Sequence, residues 1–308
     1  MTGKPMVWMN GELIEEDKAV VPLMTHCLHY GTGVFEGIRV YETPKGRAIF
    51  RLTDHIVRFF NSAKALAMPM PYTIEQIVEA SKLTVRETKV EVDYVRPIAF
   101  YSTSKKPRRI VLNPHDFNVW VAVATAYMGA YMGQEGLDHG AKIATSSWQK
   151  PTNASTSLQA KICGNYVNSA IAKIESNQIG VSESLMLNSN GTVAEGPGEN
   201  VFMVKKGKLI TPPLSACVLE GITKDSIMTI ARDMGIEIVE REIPRAEIFI
   251  ADEFFMTGTA AEVTPVAYLD GRPIGEGKAG PITKKLQKTF FDAARGKDPK
   301  YGAWLEYA

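Results

Sequence analysis

Four segments of the chain combine polar side chains with glycine and other small residues, a composition that lets a backbone approach a ligand closely. They are LQAKICGNY (158–166), GTVAEGPGENVF (191–202), LEGITKDS (219–226) and FMTGTAAEVTP (255–265). Taken singly, each segment is ordinary. A lysine beside small residues usually lies on the surface, and a glycine-rich turn usually reverses the chain without binding a ligand. Taken together they contain the groups that a phosphorylated aldehyde cofactor needs.

Each of these groups has a distinct chemical task. Lys161 can form a Schiff base with an aldehyde if apolar surroundings favour its neutral amine. Glu195, framed by glycines, can keep a pyridine nitrogen protonated so that the ring accepts electrons. The turn 221–223 opens a predicted helix and offers backbone N–H groups to a phosphate, and Gly258-Thr259 is a second candidate for that task.

The elements that must position these groups follow from hydrophobic periodicity and turn signals. Short β-rich runs with turns at Asn10-Gly11 and 44–46 predict an antiparallel start. Apolar stripes and a Thr73/Gln76 capping box predict helices, which we place at 54–67, 74–88, 164–178, 223–234 and 282–294. Runs of strands without regular βαβ repetition favour an α+β fold over a doubly wound sheet.

The length of 308 residues is about twice that of a typical domain. The segment 128–140, with several glycines and little apolar periodicity, is the best linker candidate. We therefore expect an N-terminal domain at 1–128, an interdomain linker at 129–140 and a C-terminal domain at 141–308.

Charge and composition narrow the possible partners. With 35 Lys+Arg against 34 Asp+Glu, the chain has no global field to attract nucleic acid or an anionic membrane. We see neither a secretion signal nor an apolar run long enough to span a membrane. Cys27, Cys163 and Cys217 are odd in number and far apart, without CxxC spacing, so they suggest neither a disulfide framework nor a zinc knuckle. We expect a cytoplasmic protein whose partners are small molecules.

Other kinds of site fit the sequence less well. His26 and His29 fall on a β-rich stretch, where a three-residue spacing would place them on opposite faces, so we predict no metal site. The glycines at 31–33 lack the rest of a dinucleotide fingerprint, and no GxSxG motif appears.

The chain resembles the branched-chain amino-acid aminotransferases, which are class IV aminotransferases of pyridoxal 5'-phosphate (PLP) fold type IV. The likeness runs from about Trp8 to Trp304. It is carried by the segments LHYGTGVFEGIR, RLTDHIVRF, YVRP, AKICGNY, AEGPGENVF, LEGITKD, ADEFFMTGTAAEVTPV and GPITKKLQ. The resemblance implies a small N-terminal α/β domain and a larger C-terminal pseudo-barrel domain that binds PLP.

The resemblance also implies individual roles for residues of this sequence. Lys161 corresponds to the Schiff-base lysine, Tyr166 to the tyrosine that binds the ring hydroxyl oxygen, and Glu195 to the partner of the pyridine nitrogen. Leu219 would pack on one ring face while the Gly198-Glu199 backbone covers the other. The residues implied to contact the phosphate are Arg58, Gly221, Ile222, Thr223, Gly258 and Thr259.

On the substrate side, the resemblance implies an apolar, aromatic pocket with few polar groups. Its lining would be Phe35, Tyr131, Tyr166 and a Tyr30 donated by a neighbouring subunit, with Tyr94, Arg96 and the Thr259-Ala260 backbone receiving carboxylates. An arginine at the rim can pair with the second carboxylate of glutamate without blocking an apolar pocket. The alternative for Arg96 is a structural ion pair.

Two segments depart from the family pattern. Met128 stands where a Trp-Gly-Ala-Tyr run usually begins, which replaces a flat wall by a pliable side chain. The 101–109 loop is basic at Lys105, Lys106, Arg108 and Arg109. These four side chains are either solvated or steer a dicarboxylate toward the pocket.

The implied activity is transfer of an amino group between leucine, isoleucine or valine and 2-oxoglutarate, with PLP as cofactor and Lys161 as catalytic base and acid. The expected partners are amino acids and 2-oxo acids, together with a second copy of the chain in a homodimer or an assembly of dimers. Alternatives are a D-amino-acid or (R)-amine transaminase, an aminodeoxychorismate lyase, and a non-catalytic ligand-binding protein.

Overall fold

The computed structural model describes residues 3–106 and 109–308. Contacts between Cα atoms divide the chain into two compact units. The first unit comprises 1–128, 160–165 and 294–308, and the second comprises 129–159 and 166–293. The polypeptide therefore passes between the units at 128/129, at 159/160, at 165/166 and at 293/294.

Strands occur along most of the described chain, and we number them in chain order. They are β1 (Met6–Met9), β2 (Glu12–Glu15), β3 (Gly33–Phe35), β4 (Ile38–Thr43), β5 (Gly46–Phe50), β6 (Tyr94–Ser104), β7 (Phe117–Ala126), β8 (Ala141–Thr145), β9 (Glu183–Leu185), β10 (Asn200–Lys205), β11 (Lys208–Thr211), β12 (Ile238–Glu240), β13 (Glu253–Gly258), β14 (Glu262–Leu269), β15 (Arg272–Pro273) and β16 (Leu305–Tyr307).

The α-helices are interspersed among these strands. They are α1 (His26–Tyr30), α2 (Leu52–Ala65), α3 (Ile74–Glu87), α4 (Gly133–His139), α5 (Tyr166–Gln178), α6 (Ile222–Asp233), α7 (Arg245–Ile248) and α8 (Pro281–Ala294). Within the described ranges, no helix is both long and apolar enough to cross a membrane.

The first unit is built on an antiparallel sheet in the order β16-β5-β4-β6-β7-β1-β2, with β3 also paired to β6. The predicted hairpin at its start is confirmed: Asn10 and Gly11 both have positive φ, as the tight turn between β1 and β2 requires. Ile56, Phe59 and Ala63 of α2 are fully buried in the core of this unit. The capping box that opens α3 is also formed, with Thr73 and Gln76 bonded reciprocally.

The second unit contains a mixed sheet in the order β12-β11-β10-β13-β14-β8-β9, with β15 paired to β14. Two of its parallel pairs, β8 with β9 and β11 with β12, are each joined through a helix, α5 in one case and α6 in the other. A turn at Lys206-Gly207, where both residues have positive φ, joins β10 to β11. Strands and helices are thus mixed without regular alternation, and the predicted α+β fold class is confirmed.

Two local features differ from the sequence-based expectations. The predicted linker 129–140 contains α4, whose sequence has too little apolar periodicity to reveal a helix. His26 and His29 lie on the helix α1 rather than on a strand, so the reason for placing them on opposite faces was wrong. The ring nitrogens of His26 lie within hydrogen-bond distance of Thr32 Oγ1 (2.7 Å) and the Val111 carbonyl (2.9 Å).

Candidate functional site

Lys161 lies in a short irregular segment of the first unit that is held against β3. Its N–H donates to Ser62 Oγ on α2 at 2.9 Å, and its carbonyl accepts from the N–H of Phe35 at 3.1 Å. The next residue, Ile162, forms an isolated β-bridge with Val34. The backbone that carries the lysine is therefore fixed on both sides, which directs the side chain reproducibly.

The Lys161 amine lies in partly apolar surroundings. Its Nζ is 4.9 Å from the centre of the Phe35 ring. Burial lowers the pKa of Lys161 to about 8, against a smaller opposing effect of the Glu36 carboxylate. A substantial fraction of the amine is therefore neutral near pH 8, which is the nucleophilic form that the sequence analysis required.

Close to Lys161 is a buried charge cluster that the sequence analysis did not predict, apart from Arg58. Arg58 donates from Nε to Glu36 Oε1 at 2.6 Å and from a terminal nitrogen to Oε2 at 2.8 Å, and His55 Nδ1 lies 2.8 Å from Oε2. Burial opposes ionisation of Glu36, but Arg58 and His55 together hold its pKa well below the usual range. The i, i+3 spacing of His55 and Arg58 on α2 was the available signal.

Arg96 belongs to the same unit and has a different environment. Its guanidinium lies 4.8 Å from the centre of the Phe35 ring and 5.4 Å from that of Tyr94, and one terminal nitrogen donates to the Tyr94 hydroxyl at 3.4 Å. Its Nε atom is buried and has no hydrogen-bond partner within the described part of the chain. The structural ion pair weighed for Arg96 is not observed among the described residues.

The remaining aromatic residues predicted for the substrate pocket lie in less enclosed positions. Tyr30 ends α1 and is 40 % exposed, and its ring contacts that of His26 at 4.6 Å. Tyr131 in the second unit is 37 % exposed, with the Lys173 ammonium 5.0 Å from its ring centre. Within the described part of the first unit, the ring contacts of Tyr30 are with His26 and His29 rather than with Lys161, Phe35 or Arg96.

In the second unit, Glu195 is a buried carboxylate with partners on both oxygens. Its Oε1 pairs with Lys150 Nζ at 2.9 Å. Its Oε2 accepts from Asn200 Nδ2 at 2.9 Å and from the N–H of Leu219 at 3.1 Å. The structure thus brings together the predicted Glu195 and Leu219, whereas Lys150 and Asn200 were not predicted. Asn200 lies within the glycine-rich segment 191–202, but its side-chain contact with Glu195 depends on tertiary structure.

The start of α6 lies beside this carboxylate group. Gly221 is the N-cap residue and contributes no side-chain cap to the first turn, whose N–H groups have no acceptor inside the helix. A Cβ at this position would overlap Asn200 Oδ1, so only glycine allows the close approach. Asn200 therefore connects Glu195 to the helix N-terminus, where Thr223 is buried and Ile222 is the first helical residue.

The Gly198-Glu199 segment meets the turn that follows β13. A Cβ on Gly258 would lie 3.0 Å from the Gly198 carbonyl, and Thr259 and Ala260 continue from there as half-buried residues. Burial raises the pKa of Glu199 to about 8, and the nearby Glu183 adds to this effect. Glu199 is therefore protonated at neutral pH, and its carboxyl accepts from the N–H of Gly198 at 3.1 Å.

Tyr166 and the basic loop complete the set of predicted residues. Tyr166 is half-buried and begins α5, directly after a short 3-10 turn at Cys163–Asn165. In the loop, Arg109 and Lys106 pair with Asp116 at 3.0 and 3.6 Å, whereas Arg108 lies outside the described residues. The part of the loop that is described is thus a set of solvated ion pairs.

The side chains present suit PLP chemically. The first unit supplies a lysine amine with a lowered pKa and, within its described residues, an arginine Nε that lacks a partner. The second unit supplies a carboxylate in a buried ion pair and a glycine-capped helix start suited to an anion. These are donors and acceptors of the types that an aldehyde, a carboxylate, a pyridine nitrogen and a phosphate each require.

Comparisons with known proteins also indicate an aminotransferase. Residues 33–269 match the family model described as amino-transferase class IV. The branched-chain-amino-acid aminotransferase of Pseudomonas aeruginosa is 45 % identical over 97 % of this chain and 96 % of its own length.

Among solved structures, that of a branched-chain amino acid aminotransferase from Escherichia coli superposes with a TM-score of 0.94 at 39 % identity, covering 99 % of both chains. The PLP form of the branched-chain amino acid aminotransferase from Thermobaculum terrenum gives a TM-score of 0.90 at 33 % identity, again covering 99 % of both chains. The predicted PLP fold type IV is thereby confirmed. On both the family model and the relatives, the chain belongs to the class IV aminotransferases.

Proposed function

We propose that this chain is a PLP-dependent enzyme that transfers amino groups between the branched-chain L-amino acids leucine, isoleucine and valine and the acceptor 2-oxoglutarate. The observation that carries the proposal is the Lys161 amine, whose pKa is lowered by burial to about 8. Its position beside Phe35 combines a reactive amine with an apolar wall. The names of the similar proteins support the choice of substrate class.

PLP supplies an electron sink that stabilises negative charge at the α-carbon of the amino acid. We assign its aldehyde carbon to Lys161, its ring hydroxyl oxygen to Tyr166 and its ring nitrogen to Glu195, with Leu219 and the Gly198-Glu199 backbone on the ring faces. We assign its phosphate to Arg58 and to the turns that contain Gly221, Ile222, Thr223, Gly258 and Thr259. The buried Glu195 and the glycine-capped start of α6 support the ring-nitrogen and phosphate roles.

Lys161 is also the group that moves protons in this proposal. Its neutral Nζ accepts the α-proton of the amino acid, and the resulting ammonium returns a proton later in the same half-reaction. The lowered pKa supports this role because an amine that titrates near 8 is available in both states at physiological pH. The Lys161 backbone donates to Ser62 Oγ and accepts from the Phe35 N–H, and these two hydrogen bonds orient the chain that carries the amine.

Arg96 is the proposed recognition group for substrate carboxylates. Its Nε, which lacks a partner within the described residues and lies close to the Phe35 and Tyr94 rings, gives a carboxylate a charged donor next to an apolar surface. Such a pairing suits a site that must accept both an aliphatic side chain and the second carboxylate of glutamate. Tyr94 and the Thr259-Ala260 backbone are assigned to carboxylates, and Phe35, Tyr131 and Tyr166 to the side-chain pocket.

Three further parts of the proposal concern organisation. We propose a homodimer, or an assembly of dimers, in which Tyr30 serves the neighbouring copy; its 40 % exposure at the end of α1 leaves it accessible for this. We propose a cytoplasmic location. We also retain the division into domains 1–128 and 141–308 with a linker at 129–140 as a proposal.

The decisive test of the cofactor assignment is Lys161→Ala. The wild-type protein with PLP should be yellow, and borohydride should fix the cofactor covalently to the chain, as judged by intact-protein mass. The variant should show no fixation and negligible turnover, while Lys142→Ala, at an exposed position of β8, should behave as wild type. Near-normal activity of Lys161→Ala would refute the assignment.

The substrate class is tested by a panel of L-leucine, L-valine, D-alanine and (R)-1-phenylethylamine, each with 2-oxoglutarate or pyruvate. We expect activity on the two L-amino acids with 2-oxoglutarate and the ping-pong kinetics of a two-stage transfer. Clear activity on the D- or (R)-compounds alone would instead assign the chain to the alternative transaminases of this fold.

A further inference from the structure

The ion pair between Lys150 and Glu195 is the most enclosed lysine-carboxylate contact among the described residues of the second unit. Its Nζ–Oε1 distance is 2.9 Å, and each side chain is only 9 % exposed. A buried ion pair is seldom kept for stability, because desolvation of both ions offsets most of their attraction. This enclosed position therefore calls for an explanation other than folding stability.

The backbones of the two residues are bonded to consecutive residues, Met186 and Leu187, that directly follow β9. The Lys150 N–H donates to the Leu187 carbonyl at 2.9 Å, and the Glu195 carbonyl accepts from the Met186 N–H at 2.9 Å. Lys150 is followed by Pro151, which restricts its backbone to extended conformations. The side chains consequently meet in one defined geometry rather than as two flexible surface groups.

The two carboxylate oxygens of Glu195 have different partners. Oε2 accepts two hydrogen bonds, from Asn200 Nδ2 and from the Leu219 N–H, whereas the contact recorded for Oε1 is the one with Lys150. A carboxylate oxygen has two acceptor positions. Within the described residues, Oε1 thus has capacity for one further donor, and it is the oxygen that Lys150 touches.

The charge state of Lys150 follows from the same environment. Burial lowers the pKa of Lys150, but the attraction and hydrogen bond of Glu195 outweigh this effect and leave the pKa raised. Lys150 is therefore an ammonium at neutral pH. If Glu195 were to take up a proton, this ammonium would remain buried beside a neutral acid, which is an unfavourable arrangement.

We propose that Lys150 is a positioning residue that fixes the orientation and negative charge of Glu195 and thereby keeps the ring nitrogen of bound PLP protonated. The inference rests on the proposed function, in which Glu195 is the partner of that nitrogen. In this proposal Lys150 acts on the cofactor through Glu195. It makes the transfer of the ring proton to Glu195 costly, so the ring remains a strong electron acceptor.

The test compares Lys150→Met, which removes the charge, with Lys150→Arg, which keeps it. Each protein is loaded with PLP labelled with ¹⁵N in the ring, and the ¹⁵N chemical shift reports the protonation of that nitrogen. We expect the wild type and Lys150→Arg to show a protonated nitrogen and Lys150→Met to shift toward the unprotonated position. We also expect kcat of Lys150→Met to fall by roughly tenfold or more, with a smaller change in KM.

Two further variants make the comparison specific. Lys205→Met breaks another lysine-glutamate pair of the same unit, Lys205 with Glu247 at 3.0 Å, and should leave the ¹⁵N shift unchanged. Lys150→Gln retains a neutral N–H donor to Glu195, so it yields a folded protein even if Lys150→Met does not. It should shift the ¹⁵N signal in the same direction as Lys150→Met.

The outcomes separate the inference from the function on which it rests. If the wild type binds PLP through Lys161 and its ring nitrogen is protonated in every variant, Lys150 has no positioning role and the inference is wrong. If borohydride fixes no PLP to the wild type, the proposed function itself fails. Rescue of both the ¹⁵N shift and kcat by arginine, but not by methionine or glutamine, supports the role of the charge.

Discussion

The guanidinium of Arg58 and the carboxylate of Glu36 form a two-point ion pair, with nitrogen-oxygen distances of 2.6 and 2.8 Å, inside the first unit. Glu36 is fully buried and also contacts His55. The pair holds the Arg58 side chain in one orientation, because a planar guanidinium bonded at two points cannot rotate freely. Glu36 thus fixes the orientation of Arg58, the residue to which we assign the cofactor phosphate.

Glu36→Gln should destabilise the protein and weaken its hold on PLP. An amide cannot balance the buried charge of Arg58, and loss of one member of a buried pair costs about 3–5 kcal/mol. The change also removes the carboxylate that raises the pKa of Lys161, so that pKa should fall below its value of about 8. Urea unfolding and the pH dependence of amine labelling in the cofactor-free protein measure the two effects.

A matched control is Glu42→Gln, which breaks the exposed pair of Glu42 with Arg47. Exposed ion pairs contribute little to the free energy of unfolding. This variant should therefore have the stability and the PLP affinity of the wild type. Equal behaviour of the Glu36 and Glu42 variants would contradict the importance of the buried pair.

Arg96→Met should impair recognition of dicarboxylates more than recognition of leucine. The Nε of Arg96 has no partner within the described residues, and a hydrogen bond to a charged group contributes about 1.5–3 kcal/mol. The expected fall in kcat/KM for 2-oxoglutarate is therefore about tenfold to a hundredfold. Single-turnover rates with L-leucine and with L-glutamate measure the selectivity, and an equal loss for both substrates would argue against the role.

Arg96→Lys is the informative companion variant. It retains the positive charge but lacks the planar, multiple-donor geometry of a guanidinium. Its kcat/KM for 2-oxoglutarate should lie between those of the wild type and Arg96→Met.

Much of the architecture of the first unit was predictable from local sequence. The Asn10-Gly11 turn, the stripe of Ile56, Phe59 and Ala63, and the Thr73/Gln76 capping box are short-range patterns, and each has its predicted structure. The helix α4 was missed because its short sequence, GQEGLDH, contains glycines and no apolar stripe. The helix α1, which contains His26 and His29, was missed because five residues are too few to show a 3.6-residue period.

The candidate site was only partly predictable, for a different reason. Lys161, Glu195 and Gly221 stand among small residues, and that local composition was enough to single them out. Lys150 and Asn200 act through side-chain contacts with Glu195, at sequence separations of 45 and 5 residues. Pairings of this kind depend on tertiary structure, and no periodicity in the sequence records them.

Gly221→Ala should weaken the hydrogen bonds around Glu195 and thereby lower the affinity for PLP, without straining the backbone. Gly221 has φ −79° and ψ 128°, values that alanine accepts, but the added Cβ would overlap Asn200 Oδ1. Asn200 must then move, and its hydrogen bonds to Glu195 and to the Leu219 carbonyl should weaken or break. At about 1 kcal/mol for each bond, PLP affinity should fall by roughly tenfold or more.

Equilibrium dialysis of PLP measures this effect, with Gly302→Ala as the control. A Cβ at Gly302 meets nothing within 4 Å in the described part of the chain, so that variant should bind PLP normally. Wild-type affinity in Gly221→Ala would show that the Asn200 contacts do not contribute to cofactor binding.

Glu199→Gln should stabilise the protein increasingly as the pH rises. Burial raises the folded-state pKa of Glu199 to about 8, against about 4.3 for an unperturbed glutamate. Between these two values the folded state binds more protons than the unfolded state, so the contribution of Glu199 to stability declines as the pH increases. Glutamine mimics the neutral acid, since its carbonyl can still accept from the Gly198 N–H, and it has no such pH dependence. Urea unfolding at pH 5, 6, 7 and 8 should therefore show a gain for the variant that grows to a few kcal/mol by pH 8, whereas a gain independent of pH would show that Glu199 is ionised in the folded protein throughout this range.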